Sequence, residues 1–395
     1  MASLELTDIR QNAFWGLKNL KYLDLSRNNI VAILGPSLHG LDELQFLNLS
    51  GNKILTIDPS AFDQLFKLAQ LQSSHTYICC FASNVDCVPV VHNREACLNL
   101  LPANTLQFIA WVNIFICGGM NAVVIVYFIF WSVFNKPAIL LKLTLGLSDI
   151  LIVLYMCILI VFHTAIKGNY AVYHATWMSC SLCRLAGAIA LFSYGASLSL
   201  LVIMTVDFVI NIVFVFKLDK LKMSHVRTYI FAGLIINASI AGVMSFVYEG
   251  DTVYLYNFDL STCLPIYRES TLHSLLRCIY FCLDIASNLM IISGHLSSLI
   301  SLHSSKRRTG REAKGSGVFV HIGIFIAFIF LCHFPIAVLS FVFGNGDKYD
   351  TFRYLRPWYS VFLVPLAGTL HPLILTITAK QFRYTIQDSF GLNKL

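Results

Sequence analysis

The sequence predicts an α-helical membrane protein, a seven-transmembrane-helix bundle preceded by a fragment of an α/β repeat solenoid. Three observations predict it. Hydrophobic residues make up 57% of the chain and charged residues 12%, whereas soluble domains carry roughly 25% charged residues. Apolar stretches of membrane-crossing length recur from residue 107 onward. The first 72 residues repeat with a period of 24. The chain divides accordingly into repeats (1–72), a cysteine-containing hinge or cap (73–106), the helical domain (107–379) and a short helix and tail (380–395).

Leu17, Leu41 and Leu65 correspond, as do Leu20, Leu44 and Leu68, then Leu23, Leu47 and Leu71. Leu25 pairs with Leu49, Asn28 with Asn52, Ile30 with Ile54, and Phe14 with Leu38 and Phe62. The unit L-x-x-L-x-x-L-x-L-x-x-N-x-I is the leucine-rich-repeat pattern. Alternate leucines of a short strand point into a core shared between units, and the asparagine bonds backbone groups along the intervening turn. Two full units fall short of the three or so that a solenoid needs. The opening residues MASLELTDIR also lack the apolar run of a signal peptide. The expectation is a chain truncated at its N-terminus. Asn48-Leu49-Ser50 is an N-glycosylation acceptor, accessible if the repeats lie outside the cell.

Of the 12 cysteines, Cys79, Cys80, Cys87 and Cys97 cluster in the hinge. That density suits disulfides in an oxidising compartment and a cap over the open end of the repeat core. Four cysteines allow three pairings, which spacing alone leaves open. Cys180 and Cys183 are a lone pair, so no zinc site is expected.

Seven stretches follow: 107–134, 143–166, 183–206 (extending toward Phe216), 228–248, 278–302, 318–343 and 357–379. The second contains a single charge, Asp149, and the fifth contains Asp284, four residues before Asn288. A carboxylate in hydrocarbon is expensive, so Asp149 should face the bundle interior with a partner, and Asp284 should line that interior. Loops assigned inside hold Lys136, Lys217, Lys220, Lys222, Arg227, Lys306, Arg307, Arg308, Arg311, Lys314, Lys380, Arg383 and Lys394. Those assigned outside hold only Lys167, Arg268, Lys348, Arg353 and Arg356. The asymmetry predicts an extracellular N-terminus. The net charge of +7 is thereby read as topology and attraction to anionic membrane lipid, with no nucleic-acid partner. No catalytic constellation, HExxH pair or phosphate-cradling glycine loop is present, so no enzyme activity is expected.

Repeats, a cysteine hinge and seven helices in this order resemble the leucine-rich-repeat-containing G-protein-coupled receptors. Locally the chain is similar to their relaxin-receptor branch. The similarity lies in Lys167-Gly168-Asn169-Tyr170 through Trp177 to Cys183-Arg184-Leu185, in Cys87-Val88-Pro89, and in Thr262-Cys263-Leu264-Pro265-Ile266-Tyr267. It extends from about residue 17 to 390. The resemblance implies a class A receptor bundle in the plasma membrane. Its extracellular partner would be a relaxin-like peptide of the insulin family or another protein hormone, with glycoprotein hormones as runner-up. Its intracellular partner would be a heterotrimeric G protein. It also implies a disulfide between Cys183 and Cys263, a hinge disulfide between Cys80 and Cys87, and a sodium (Na+) site at Asp149 with Ser197 nearby. The other reading of Asp149 is a protonated, hydrogen-bonded structural acid.

The sequence departs from the family's switch motifs. Asp207-Phe208-Val209 stands where an acid followed by a basic residue is usual, and Cys332-His333-Phe334-Pro335 stands where Cys-Trp-x-Pro is usual. His371-Pro372-Leu373-Ile374-Leu375 replaces Asn-Pro-x-x-Tyr, and His295 lies where tyrosine is common. Pro335 and Pro372 preserve the expected kinks. These departures favour an alternative, a non-signalling binding or decoy receptor. A multi-pass transporter is a third reading, which more intramembrane ionisable residues would support. In the family fold His371 would approach Asp149, and a buried His–Asp pair would then take the place of sodium and make the resting state pH-sensitive.

Overall fold

The computed structural model describes residues 2–74, 76–82, 85–88, 94–131, 136–214, 218–246, 262–264, 271–309, 323–324, 326–336, 338–339 and 356–378. Lys217, Pro265-Ile266-Tyr267, Arg311, Lys314 and the tail 380–395 lie outside them. The chain forms two compact units. One is 1–107 with 159–184 and 248–263, and the other comprises 108–158, 185–247 and 264–395.

In the first unit the 24-residue period becomes a parallel sheet. Strands β1 (Tyr22–Asp24), β3 (Phe46–Asn48), β5 (Gln70–Gln72) and β6 (Asp86–Val88) lie in that order. Tyr22 is in register with Phe46, Phe46 with Gln70, and Gln70 with Asp86. A second small sheet pairs β2 (Ala32–Ile33) with β4 (Thr56–Ile57). Each strand's central residue points inward: Leu23, Leu47 and Leu71 are buried, as are Leu25, Leu49, Ile30 and Ile54. A fully buried leucine or isoleucine contributes about 1.5–3 kcal/mol, so each unit is held chiefly by its neighbours' apolar side chains. Among the matched positions Leu17 is exposed, at 44%, and Leu20 is half-buried.

The asparagines complete the stack. Asn52 donates to the carbonyls of Leu25 (2.8 Å) and Leu49 (2.9 Å) and accepts from the Ile30 N–H (3.2 Å). Asn28 does the same one unit earlier, accepting from the backbone of Leu4 and Leu6 at 2.8 and 3.2 Å. Residues 4–6 therefore supply part of a further unit. Gly40 holds φ at +89°, where a Cβ would come within 3.1 Å of Trp15 Cα; only glycine adopts that turn readily.

The hinge corrects one expectation. Cys79 bonds Cys87 and Cys80 bonds Cys97, in place of a Cys80–Cys87 pair. The physical reason is β6, which the sequence did not suggest. Its pairing sets Cys87 beside Leu71 at the end of the sheet, where Cys79 reaches it with Cα atoms 5.7 Å apart. The adjacent Cys80 projects the other way, to Cys97 on the short helix α1 (Glu95–Leu98).

Five helices of the described residues are long and apolar enough to cross a membrane. They lie in α2 (Asn104–Trp131), α3 (Pro137–Ala165), α5 (Ser181–Ile212), α6 (Met223–Phe246) and α7 (Thr271–Thr309). Between α3 and α5 an unforeseen ten-residue helix, α4 (Tyr170–Ser179), belongs to the first unit. Of the sixth and seventh stretches, the described residues include the apolar helix Ile326–Ile336 and a helical run ending in α8 (Val364–Thr378). Both contain a widened π-helical turn, Ile329–His333 before Pro335 and Tyr359–Leu363 before Pro365. A proline cannot donate to the preceding turn and its ring crowds the carbonyl four residues back, which the wider turn accommodates.

Within the second unit, buried amides bind helix to helix. Asn113 donates to the Val361 carbonyl (3.0 Å), and Asn121 to those of Cys117 and Gly368 (both 3.0 Å). Asn237 donates to Ser199 Oγ (2.9 Å) and fills the space beside Gly195. Interhelical bonds and small residues of this kind hold helices together where lipid removes the hydrophobic drive for association.

Candidate functional site

Asp149 is the centre of a polar cluster inside the second unit. The uninterrupted helix α3 carries it inward, with 1% of its surface exposed. Ser197 of α5 donates to Oδ1 at 2.7 Å, and His371 Nδ1 of α8 lies 2.9 Å from Oδ2. One turn away Ser193 donates to the Ser148 carbonyl at 2.7 Å. Three of the predicted site residues, Asp149, Ser197 and His371, therefore meet. A buried carboxylate is tolerable only when its lone pairs are met in this way.

His333, the residue preceding Phe334-Pro335, is fully buried and faces His371, with ring centroids 5.7 Å apart and planes 25° from parallel. Phe328 packs edge-on against both rings at 5.2 Å. Among the described residues, neither ring nitrogen of His333 nor Nε2 of His371 has a hydrogen-bond partner. Both histidines line a cavity of about 10 Å³ together with Asp149, Ser193, Ser197 and Gly368. That volume suffices for one water molecule.

The sodium ion that the resemblance implies does not fit this arrangement. A hard cation needs several oxygen ligands turned toward it. Here both carboxylate oxygens already accept protein donors, and the imidazole of His371, which brings no oxygen, is seated on Oδ2.

A second buried carboxylate lies on α7. Asp284 accepts from Asn288 Nδ2 (2.9 Å) and from the Tyr194 hydroxyl (3.2 Å), and the Tyr194 ring lies 5.5 Å from that of His333. Sequence reading placed Asp284 in the interior but missed Tyr194, Asn113 and Asn121. The two asparagines stand two turns apart on one face of α2, a signal that was available. The remaining predicted positions are separate. Asp207 bonds Asn211 on its own helix (3.2 Å), while Phe208 packs against His295 at 5.2 Å. Pro372 lies inside α8, next to His371.

On the first unit, the outward residues of the sheet form a ladder, Tyr22, Phe46, Gln70 and Asp86 in one row and Asp24, Asn48 and Gln72 in the next. The Tyr22 and Phe46 rings are 6.2 Å apart. Asn48 stands on this face, its Oδ1 accepting the Ser50 N–H at 3.0 Å. Behind the sheet, the cap meets residues 159–184. Tyr77 packs on His174, Trp177 stacks on Phe162 with centroids 3.7 Å apart, and Cys183 bonds Cys263.

The leucine rich repeat family model matches residues 2–54. The chain is 27% identical over 338 residues to the G-protein coupled receptor GRL101 of Lymnaea stagnalis, covering 81% of this chain and 29% of that one. It is 25% identical to relaxin receptor 1 of Mus musculus (82% and 43%) and 25% identical to relaxin receptor 2 of Homo sapiens (78% and 42%). The chain thus spans less than half the length of these relatives. With repeats at one end, apolar helices in the remainder and these relatives, the chain is a leucine-rich-repeat-containing relative of the G-protein-coupled receptors, related to the relaxin receptors.

Proposed function

We propose that the chain is a cell-surface receptor whose repeats, held outside, capture a relaxin-like or other protein hormone and whose seven-helix bundle passes that event to a heterotrimeric G protein. The observation that carries this reading is the union, in one chain, of a parallel repeat sheet with an exposed ladder and membrane-length apolar helices. The relatives are named as receptors, two of them for relaxin. The cation asymmetry supports an extracellular N-terminus and a cytoplasmic tail. The disulfides support the same side for the hinge, since such bonds persist in oxidising compartments. An N-glycan on Asn48 belongs to this reading.

A second reading is a receptor that binds without signalling. It is favoured by one observation: Asp207 is engaged by Asn211 of its own helix, and no arginine follows it. A conformational switch requires an element with two arrangements that the ligand biases.

The test is second-messenger output in cells expressing the chain with an N-terminal tag, stained on intact cells, under relaxin-family peptides. Staining with a response supports the signalling receptor. Staining with bound peptide and no response supports the binding-only form. A tag that stains only after permeabilisation sinks both.

A further inference from the structure

We infer that His371 is the resident partner of the Asp149 carboxylate and excludes sodium from it, so that the centre of the bundle holds one water molecule and no metal ion. The inference stands on the bundle's interior and is independent of ligand or G protein.

The two carboxylate oxygens are occupied from opposite sides, Oδ1 by Ser197 Oγ at 2.7 Å and Oδ2 by His371 Nδ1 at 2.9 Å. The occupancy does not depend on the ring's charge. A neutral or charged imidazole places an N–H on Oδ2, and a protonated acid would donate to the ring nitrogen instead. A cation would have to displace a ring packed edge-on against Phe328 and facing His333. Besides the carboxylate, the side-chain oxygens that line the cavity are, among the described residues, the hydroxyls of Ser193, Tyr194 and Ser197 alone. Gly368 sits so close that a Cβ there would meet Asp149 Cγ at 3.5 Å and Ile152 Cγ2 at 3.3 Å, so α8 leaves no room on that side. What remains is the 10 Å³ cavity. It is bordered by the three ring nitrogens of His333 and His371 that lack partners among the described residues. Buried polar atoms around a water-sized space are the ordinary setting of an internal water.

The experiment compares thermal unfolding of the purified full chain in phosphatidylcholine nanodiscs, in NaCl and in KCl at equal ionic strength. The unmodified protein is expected to melt at the same temperature in both salts. His371→Asn shortens the side chain, frees Oδ2 and supplies an amide oxygen; its midpoint is expected to rise by about 3 °C in NaCl relative to KCl. Adding Asp149→Asn to that variant should abolish the difference. A sodium-specific rise in the unmodified protein that Asp149→Asn removes overturns the inference. So does a His371→Asn variant that folds and shows no preference for sodium. If His371→Asn does not fold, the comparison of the unmodified protein with Asp149→Asn still decides between exclusion and binding.

Discussion

His174 and Tyr77 lie ring against ring, with centroids 5.0 Å apart, and so join the helix after the second membrane stretch to the cap of the repeats. The same imidazole shares a 2.9 Å hydrogen bond between its Nδ1 and the Tyr170 hydroxyl, and the Tyr77 hydroxyl donates to the Ile54 carbonyl. All three side chains are buried. His174→Ala removes the ring and its hydrogen bond to the Tyr170 hydroxyl, at a cost of about 2–3 kcal/mol. Limited proteolysis of the purified chain should show faster cutting near residues 76–98, and His174→Phe should recover only the packing part.

Gly195 and Asn237 mark the closest approach of α5 and α6. A Cβ on Gly195 would lie 2.2 Å from Asn237 Oδ1, so Gly195→Ala should destabilise the chain by about 1–3 kcal/mol. The double variant with Asn237→Ala should melt above the single one, since the obstructing amide is gone. Equal melting of the two would show that the strain lies elsewhere.

Two asparagines of the same repeat should behave differently. Asn52→Ala takes the side-chain partner from the Leu49 carbonyl and the Ile30 N–H inside the core, while the Leu25 carbonyl keeps its bond from Asn28, costing about 1–3 kcal/mol. Asn48→Ala, on the outward face of β3, should change stability by less than about 0.5 kcal/mol. Chemical denaturation of the two variants checks the contrast.

Acid should loosen the repeats through Asp58. Its carboxylate accepts the Ser60 hydroxyl at 2.6 Å and the Ser60 N–H at 2.9 Å, which hold its pKa below the usual 3.8. A folded-state pKa below the unfolded one means that the contribution is full above pH 3.8 and fades as pH falls through the lower folded value. Ser60→Ala removes the hydroxyl bond and keeps the backbone one, so it should lower stability slightly above pH 3.8, leave it unchanged at the acid end and thereby reduce the acid dependence, as read from melting across pH 2–7.

Mapping of disulfide-linked peptides from non-reduced protein should find Cys79 with Cys87 and Cys80 with Cys97. Cys97→Ser should add one alkylatable thiol, at Cys80, to the free cysteines of the unmodified chain and cost about 2–4 kcal/mol. Recovery of a Cys80–Cys87 peptide in quantity would contradict the pairing described above.

The repeats were legible because their signal is periodic: each matched leucine from Leu23 to Leu71 is read three times over, and the register of β1, β3 and β5 follows the same spacing. The five long helices were legible from length and apolarity, although α7 begins at Thr271 rather than near Cys278. The strand β6 and the helix α4 were not. A three-residue strand completed by pairing with β5 has no local period, and α4 is secured by contacts with the distant Tyr77. At the intramembrane site, Asp149 announced itself as a lone charge, while Ser197 and His371 beside it came from the resemblance to the receptor family. His333 was singled out only for its place before Phe334-Pro335, and Tyr194 not at all, because a histidine or tyrosine in an apolar helix carries no sign of which way it faces.

The position of β6 bears on the chain's behaviour during synthesis. A parallel sheet ending at β5 would present a row of unpaired amides and carbonyls, a template on which another chain can add a strand. The short β6 covers that row, and its Cys87 is tied to Cys79 within the same cap. Before oxidation, the backbone pairing of three residues with β5 holds the cover without its covalent tie. Newly made chains in a reducing environment are therefore exposed to strand exchange at β5, and the eight-residue disulfide loop closes that route as soon as it forms.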